Sequence, residues 1–301
     1  MQVTMYLVDA FTSHPFEGNT AGVITTADML SISTMQMIAR ELRQTETCFV
    51  SSSFLPNTDI HLRWFTPTVE VDRCGHATIA AMICLAYEDR VEWDQGEARL
   101  RCGTRNGTVE VVMTDVPGGA PHITLSTGVP QICHALDDRV AIANAVGLAP
   151  HSIDPDLPLG FDSASARVIV PVKDLADLLA MVPSGASMIS YGERTTYRRY
   201  TLFCRETHDP QCAMHIRHFA PANGIAEDPV TGTAHAATAA YLEWQGLLPT
   251  GDSVVLLGEQ GHAVRRPGLV GIEVLRHEGL AVDIRIDGSG VITANGTLRS
   301  L

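Results

Sequence analysis

The sequence predicts a mixed α/β (α+β) protein of two pseudo-symmetric halves, each a sheet wrapped around its own central helix. Three observations carry this expectation. The stretch IHLRWFTP at 60–67 returns as MHIRHFAP at 214–221. Each copy then leads through a short turn to a glycine, Gly75 or Gly232, with three more residues between proline and glycine in the second copy. Beyond each glycine lies an Ala-rich run that is apolar on almost every face, and such a helix belongs in the middle of something. Together these mark one supersecondary unit used twice.

The elements follow in order. MYLVDAF (5–11) is apolar enough for a buried strand, SHPFEGNT is a turn rich in Gly, Pro and Asn, and AGVIT is a second strand. SISTMQMIARELR repeats apolar positions at helical spacing behind a Ser or Thr N-cap. TETCFV and the alternating DIHLRWF are strands. HATIAAMICLAY (76–87) is the first central helix, about 18 Å long. ARLRCG, GTVEVVM and HITLST are strands. The Pro-rich LAPHSIDPDLPLG (148–160) separates two helix-and-strand regions. ARVIVPV is a strand and DLADLLAMV an amphipathic helix. The second central helix, TAHAATAAYLEWQG, stops at Gly246 as a C′ residue with Pro249 beyond. SVVLLGEQG, GLVGIEVLR, LAVDIRI and VITANGTL form a closing meander. The halves are expected at 1–118 plus about 285–301, and at 119–284.

Composition narrows the function. The chain has 301 residues, 45% of them hydrophobic and 18% charged, ordinary for a globular protein. A formal charge of −13 argues against nucleic-acid partners, because no basic stripe exists to meet phosphates. No apolar run is long enough to span a bilayer, so no membrane partner is expected. Seven scattered cysteines without a C-x-x-C pair, and no signal segment before the opening strand, predict free thiols in a cytoplasmic setting.

Two helix starts related by a duplication would offer free N–H groups and two positive dipole ends to one pocket between the halves, suited to a small carboxylate. A glycine that merely caps its helix is the plainer reading of either one alone. Glu46, in TET, enters an apolar strand, where desolvation suits a general base; a partly exposed helix-end Glu is equally compatible with its spacing. His76 is either a satisfied core histidine or a proton relay. Asp228 is either an Asx-turn residue or an acid group, and Thr233 either donates its hydroxyl or merely starts the helix. Cys74, beside a helix N-terminus, is a candidate base or nucleophile, but its duplicated position is Thr231, so a symmetric two-thiol mechanism is absent. His61 and His215 lack metal-ligand spacing, and Arg63 and Arg217 read as supports of the sheets.

At VDAFTSHPFEGNTAGV, ARELRQTETCFV, FTPTVEVDRCGHAT, FAPANGIAEDPVTGTAHA and GEQGHAVRRPG the chain resembles the PhzF-like (phenazine biosynthesis-like) family of the diaminopimelate epimerase fold superfamily. The resemblance spans nearly the whole length. It implies two barrel-like halves with the active site in the cleft between them, a homodimer, and an isomerase that shifts a proton without metal or organic cofactor. It implies Glu46 as the acid/base, with His76 and Asp228 also catalytic. Thr45, Gly75, Gly232 and Thr233 are implied as substrate-carboxylate contacts. The family usually has Ser where Thr233 stands, and the phenazine enzyme has a small apolar residue in place of Cys74.

The sequence thus predicts a cofactor-independent isomerase of a small carboxylate-bearing metabolite with Glu46 as general acid/base. The alternatives are a single-thiol (Cys74) epimerase or dehydratase of an amino or hydroxy acid, and a non-catalytic carboxylate-binding protein.

Overall fold

A chain whose parallel strands must be joined by crossovers places its helices between them. That rule organises both units of the protein, seen in a computed structural model that describes residues 2–53, 55–136 and 138–299. The first unit comprises residues 1–126 with 287–301, and the second residues 127–286.

In the first unit β1 (Gln2–Ala10) pairs antiparallel with the C-terminal strand Gly290–Arg299 on one side and with β2 (Asn19–Ile24) on the other. Helix α1 (Ile32–Leu42) is the crossover from β2 to its parallel neighbour β3 (Glu46–Ser52). The Ser31 hydroxyl caps its start, accepting from Thr34 N at 3.1 Å, and Arg43 ends it in the left-handed region. Antiparallel β4 (Ile60–Phe65) follows, with the two-residue β5 (Glu70–Val71) against its end. Helix α2 (Gly75–Tyr87) crosses over to β6 (Glu97–Thr104), parallel to β4. The meander β7 (Gly107–Thr114) and β8 (His122–Ser126) completes the sheet.

The second unit repeats this order. β9 (Ile132–His134) is antiparallel to β10 (Gly160–Asp162), and β10 to β11 (Arg167–Pro171). Helix α3 (Arg139–Val146) lies between β9 and β10 in the chain. Helices α4 (Leu175–Ala180) and α5 (Gly185–Arg194) form the crossover to parallel β12 (Arg199–Cys204). Antiparallel β13 (Met214–Ala220) and the short β14 (Ile225–Asp228) lead to α6 (Gly232–Trp244). Helix α6 crosses to β15 (Ser253–Gln260), parallel to β13, and antiparallel β16 (Gly268–His277) follows. β17 (Leu280–Gly288) carries the chain out of this unit.

The helices α2 and α6 are both 13 residues long and start at the repeated glycines. In α2 every residue from His76 to Leu85 is buried, and in α6 every residue from Ala234 to Leu242. α2 touches the C-terminal strand, β1, β2 and β3 at one end of its sheet and β8 at the other. α6 likewise touches β9, β12, β13 and β16. Only a sheet bent around the helix reaches it from both edges, so each unit is a mixed sheet wrapped around a central helix.

The duplication extends to side chains. Arg63 makes a two-pronged ion pair with Glu70 at 2.7 and 2.8 Å and lies over the Phe65 ring. Arg217 does the same with Glu227, at 2.8 Å on both prongs, over Phe219. Each pair ties the repeated strand to the short strand before the glycine, so both arginines support the sheets. The Thr78 hydroxyl donates to Cys74 O at 2.6 Å, and the ring of His235, four residues after Thr231, lies 3.0 Å from Thr231 O. The three extra residues of the second copy lie in the turn, where Pro221–Asn223 forms a short helical turn closed by Gly224 at φ +82°.

The expected helix at DLADLLAMV is short, because Asp174 caps it and Pro183 follows soon after. Helix α5 was not legible, since GASMISYGER carries two glycines and two serines; the Ser184 cap compensates. Gly246 takes φ +67° directly after the second central helix, as its C′ role requires. None of the seven cysteines is in a disulfide.

The two ion pairs differ in burial: Arg217 is 5% exposed and also donates to Leu178 O and Met181 O, whereas Arg63 is 22% exposed. Glu227→Gln strands a buried guanidinium and should cost about 3–5 kcal/mol in urea unfolding. Glu70→Gln should cost clearly less, and equal losses would contradict this ranking.

Candidate active site

Glu46 opens β3, directly after Thr45 and the end of α1, so the strand's first side chain reaches the start of α2. Thr45 itself is half-buried just before the strand. The Glu46 side chain is only 12% exposed, and its Oε2 lies 3.5 Å from Nε2 of His76, the second residue of α2. The other ring nitrogen of His76, Nδ1, lies 3.5 Å from Sγ of Cys74, the N-cap of the same helix. Three chemically active groups, Cys74, His76 and Glu46, are therefore strung through one imidazole at the positive end of a helix. Burial drives the His76 pKa down to about 4, so the ring is neutral at pH 7. A neutral ring has one donor and one acceptor nitrogen, and can pass a proton between its two neighbours.

In the second unit the corresponding helix start is α6. Thr231 is its N-cap, and the Thr231 hydroxyl donates to buried Asp228 at 2.5 Å. Gln260 bridges the turn, accepting from Thr231 N at 2.9 Å and donating to Asp228 O at 2.7 Å. Asp228 is thus both a turn residue and a carboxylate at the helix mouth. Gly232 is buried in the first turn, and Thr233 after it accepts two hydrogen bonds from Arg167, at its carbonyl (2.6 Å) and its hydroxyl (3.1 Å).

Arg167 was not singled out by sequence reasoning. It comes from β11, is buried, and lies 4.0 Å from Asp162. Burial pulls its pKa down to about 10 while Asp162 holds it up, which leaves a full positive charge beside the positive end of α6. Its only sequence signal was an arginine opening an otherwise apolar strand, ARVIVPV. His235 is also buried and neutral, its pKa pushed down to about 4 by burial. Gly258 makes room for it, because a Cβ there would come within 2.4 Å of the His235 ring.

The chain matches the model of the family described as phenazine biosynthesis-like protein over residues 8–296. It belongs to that family. The Escherichia coli K12 protein called uncharacterized isomerase YddE is 35% identical, with 97% of each chain covered. The crystal structure of a Bacillus anthracis phenazine biosynthesis protein of the PhzF family superposes with a TM-score of 0.91 at 31% identity, covering all of both chains. A hydroxyproline epimerase from Agrobacterium vitis, crystallised with trans-4-hydroxy-L-proline, shares the fold at a TM-score of 0.59 and 15% identity, covering 99% and 92% of the two chains. The protein is an isomerase of the phenazine biosynthesis-like family, which sets aside a purely binding role. Among the described residues no helix is long and apolar enough to cross a membrane.

Buried His76 and His235 predict an acid-labile fold. Unfolded, each takes up its proton near the model value of 6.5, whereas folded it does so only near 4. The unfolded state holds more protons in that window. Stability is therefore complete above the upper value and falls by about 1.4 kcal/mol per histidine per pH unit on the way down. Urea midpoints measured at several pH values should decline below about pH 6.5, less steeply in His76→Asn. A flat profile would contradict the burial argument.

Proposed function

We propose that the protein isomerises a small carboxylate-bearing metabolite without a cofactor, with Glu46 removing and returning a proton. The observation that carries this reading is the close, largely buried approach of Glu46 to neutral His76 at the start of α2. In the proposed cycle the Glu46 carboxylate takes a proton from carbon, and the C–H electron pair moves into the conjugated system of the substrate. N–H groups at Gly75, with Thr45 as a further contact, are the proposed holders of the substrate carboxylate in the first unit, and Gly232 with Thr233 is the corresponding candidate pair at the helix start of the second. Those helix starts carry positive potential where negative charge develops. Glu46 then gives the proton back at a different carbon, so no net charge is left. Neutral His76 supplies a hydrogen bond to the charge that builds up, and Asp228 is the second acid group. The buried charge of Arg167 supports an anionic substrate in a protein whose net charge is −13.

One observation favours a second reading. Cys74 Sγ sits 3.5 Å from His76 Nδ1, the spacing of a thiol whose proton the ring could accept. A single thiol activated in this way would serve an epimerase or dehydratase of an amino or hydroxy acid.

Two substitutions separate the readings. Under general-base catalysis by Glu46, Glu46→Gln should lower kcat by about 10²–10⁴ with KM little changed, and Cys74→Ala should be mild. A crippled Cys74→Ala enzyme with Glu46→Gln near normal would establish the thiol reading and remove the first.

A further inference from the structure

The second unit holds another cluster that the proposed reaction does not use. His208, in the loop after β12, His215, on β13, and His262, just past β15, each offer a ring nitrogen within 4.8 Å of the other two. The rings are mutually close, with centroids 4.4 Å apart for His208 and His262 and 5.1 Å for His215 and His262.

Buried Glu259 holds two of the three in place. Its Oε1 lies 2.7 Å from His215 Nδ1 and accepts from His208 N at 2.7 Å, while its Oε2 accepts from Asp209 N at 3.1 Å. Two residues on, Gly261 turns the chain into His262 at φ +94°, where a Cβ would strike Arg266 O at 2.0 Å. One carboxylate and one glycine therefore set the loop bearing His208, the ring of His215 and the approach of His262.

The cluster has a specific unmet demand. With Nδ1 turned to Glu259, His215 keeps Nε2 as its remaining ring nitrogen, and that nitrogen finds no hydrogen-bond partner among the described residues although the side chain is completely buried. A buried polar nitrogen without a partner is unfavourable unless something binds it. A carboxylate on the far nitrogen of an imidazole is the usual outer-shell support of a metal ligand, fixing the tautomer and raising basicity.

We propose that His208, His215 and His262 form a binding site for a zinc-class divalent cation, with Glu259 as the outer-shell carboxylate on His215. Three imidazoles with no oxygen ligand among them suit Zn²⁺ or Co²⁺ rather than Mg²⁺ or Ca²⁺. Closing the nitrogens around an ion at about 2.1 Å requires a modest inward swing, which exposed His208 is free to make. The ion would pin the loop after β12 to the turn after β15.

The test uses the full-length protein stripped with a chelator, titrated with Zn²⁺ by calorimetry and with Co²⁺ by visible absorption. One ion per chain is expected, with the intense bands of a four-coordinate nitrogen site. His208→Ala, an exposed change that leaves the core intact, should weaken binding by more than the roughly 10–100-fold expected of Glu259→Gln. Cys74→Ala should bind like the parent, which separates this site from the Glu46, Cys74 and His76 group, also within 4.8 Å of one another. No stoichiometric uptake, undiminished affinity in His208→Ala, or loss of binding in Cys74→Ala would each overturn the proposal.

Discussion

A helix with no polar face cannot lie on a surface, and this chain contains two of them. Their Ala-rich flanks let strands approach closely, and burial of Ile79, Met82 and Leu85 in α2 and of Tyr241 and Leu242 in α6 supplies the apolar area that draws each sheet around its helix. A strand order with parallel pairs on either side of the central hairpin follows in both units. The same constraint produces the chemistry. Both helix starts are partly buried, with Cys74 and His76 buried at the first and Gly232 at the second, so free N–H groups and a positive dipole end are partly shielded from bulk water, where they act more strongly.

The two units solve this identical problem with different side chains. At the first helix start Cys74 and His76 meet Glu46. At the second the positions of Cys74 and His76 are taken by Thr231 and Thr233, which engage Asp228 and Arg167. The scaffold interactions stayed paired while the site residues diverged: both Arg–Glu forks and both arginine–phenylalanine contacts persist. Duplication supplied two frames, and substitution at the helix starts gave them different acid and base groups.

The duplication was legible because an eight-residue pattern, with His, Arg, Phe and Pro at the same places, recurs ahead of a glycine, and the central helices because His76 to Leu85 has no polar face to misread. Glu46 could be named from its place before an apolar strand, but spacing alone could not show that His76 bridges it to Cys74, since that depends on which way each ring nitrogen points. Arg167 was hidden by strand context: its neighbours predict a buried strand, and only the fold shows the guanidinium reaching Thr233. Helices α3 and α5 begin at caps, Asp138 and Ser184, that the pattern of apolar residues does not mark. His208, His215 and His262 come from three separate segments, so no ligand spacing existed to read.

If Glu46 takes the proton from carbon, deuterium from D₂O should enter small carboxylates incubated with the protein, followed by NMR at the exchanging carbon. Deuterium is expected at that carbon with the parent protein and with Cys74→Ala, and none with Glu46→Gln. Exchange that persists in Glu46→Gln and disappears in Cys74→Ala would contradict that role for Glu46.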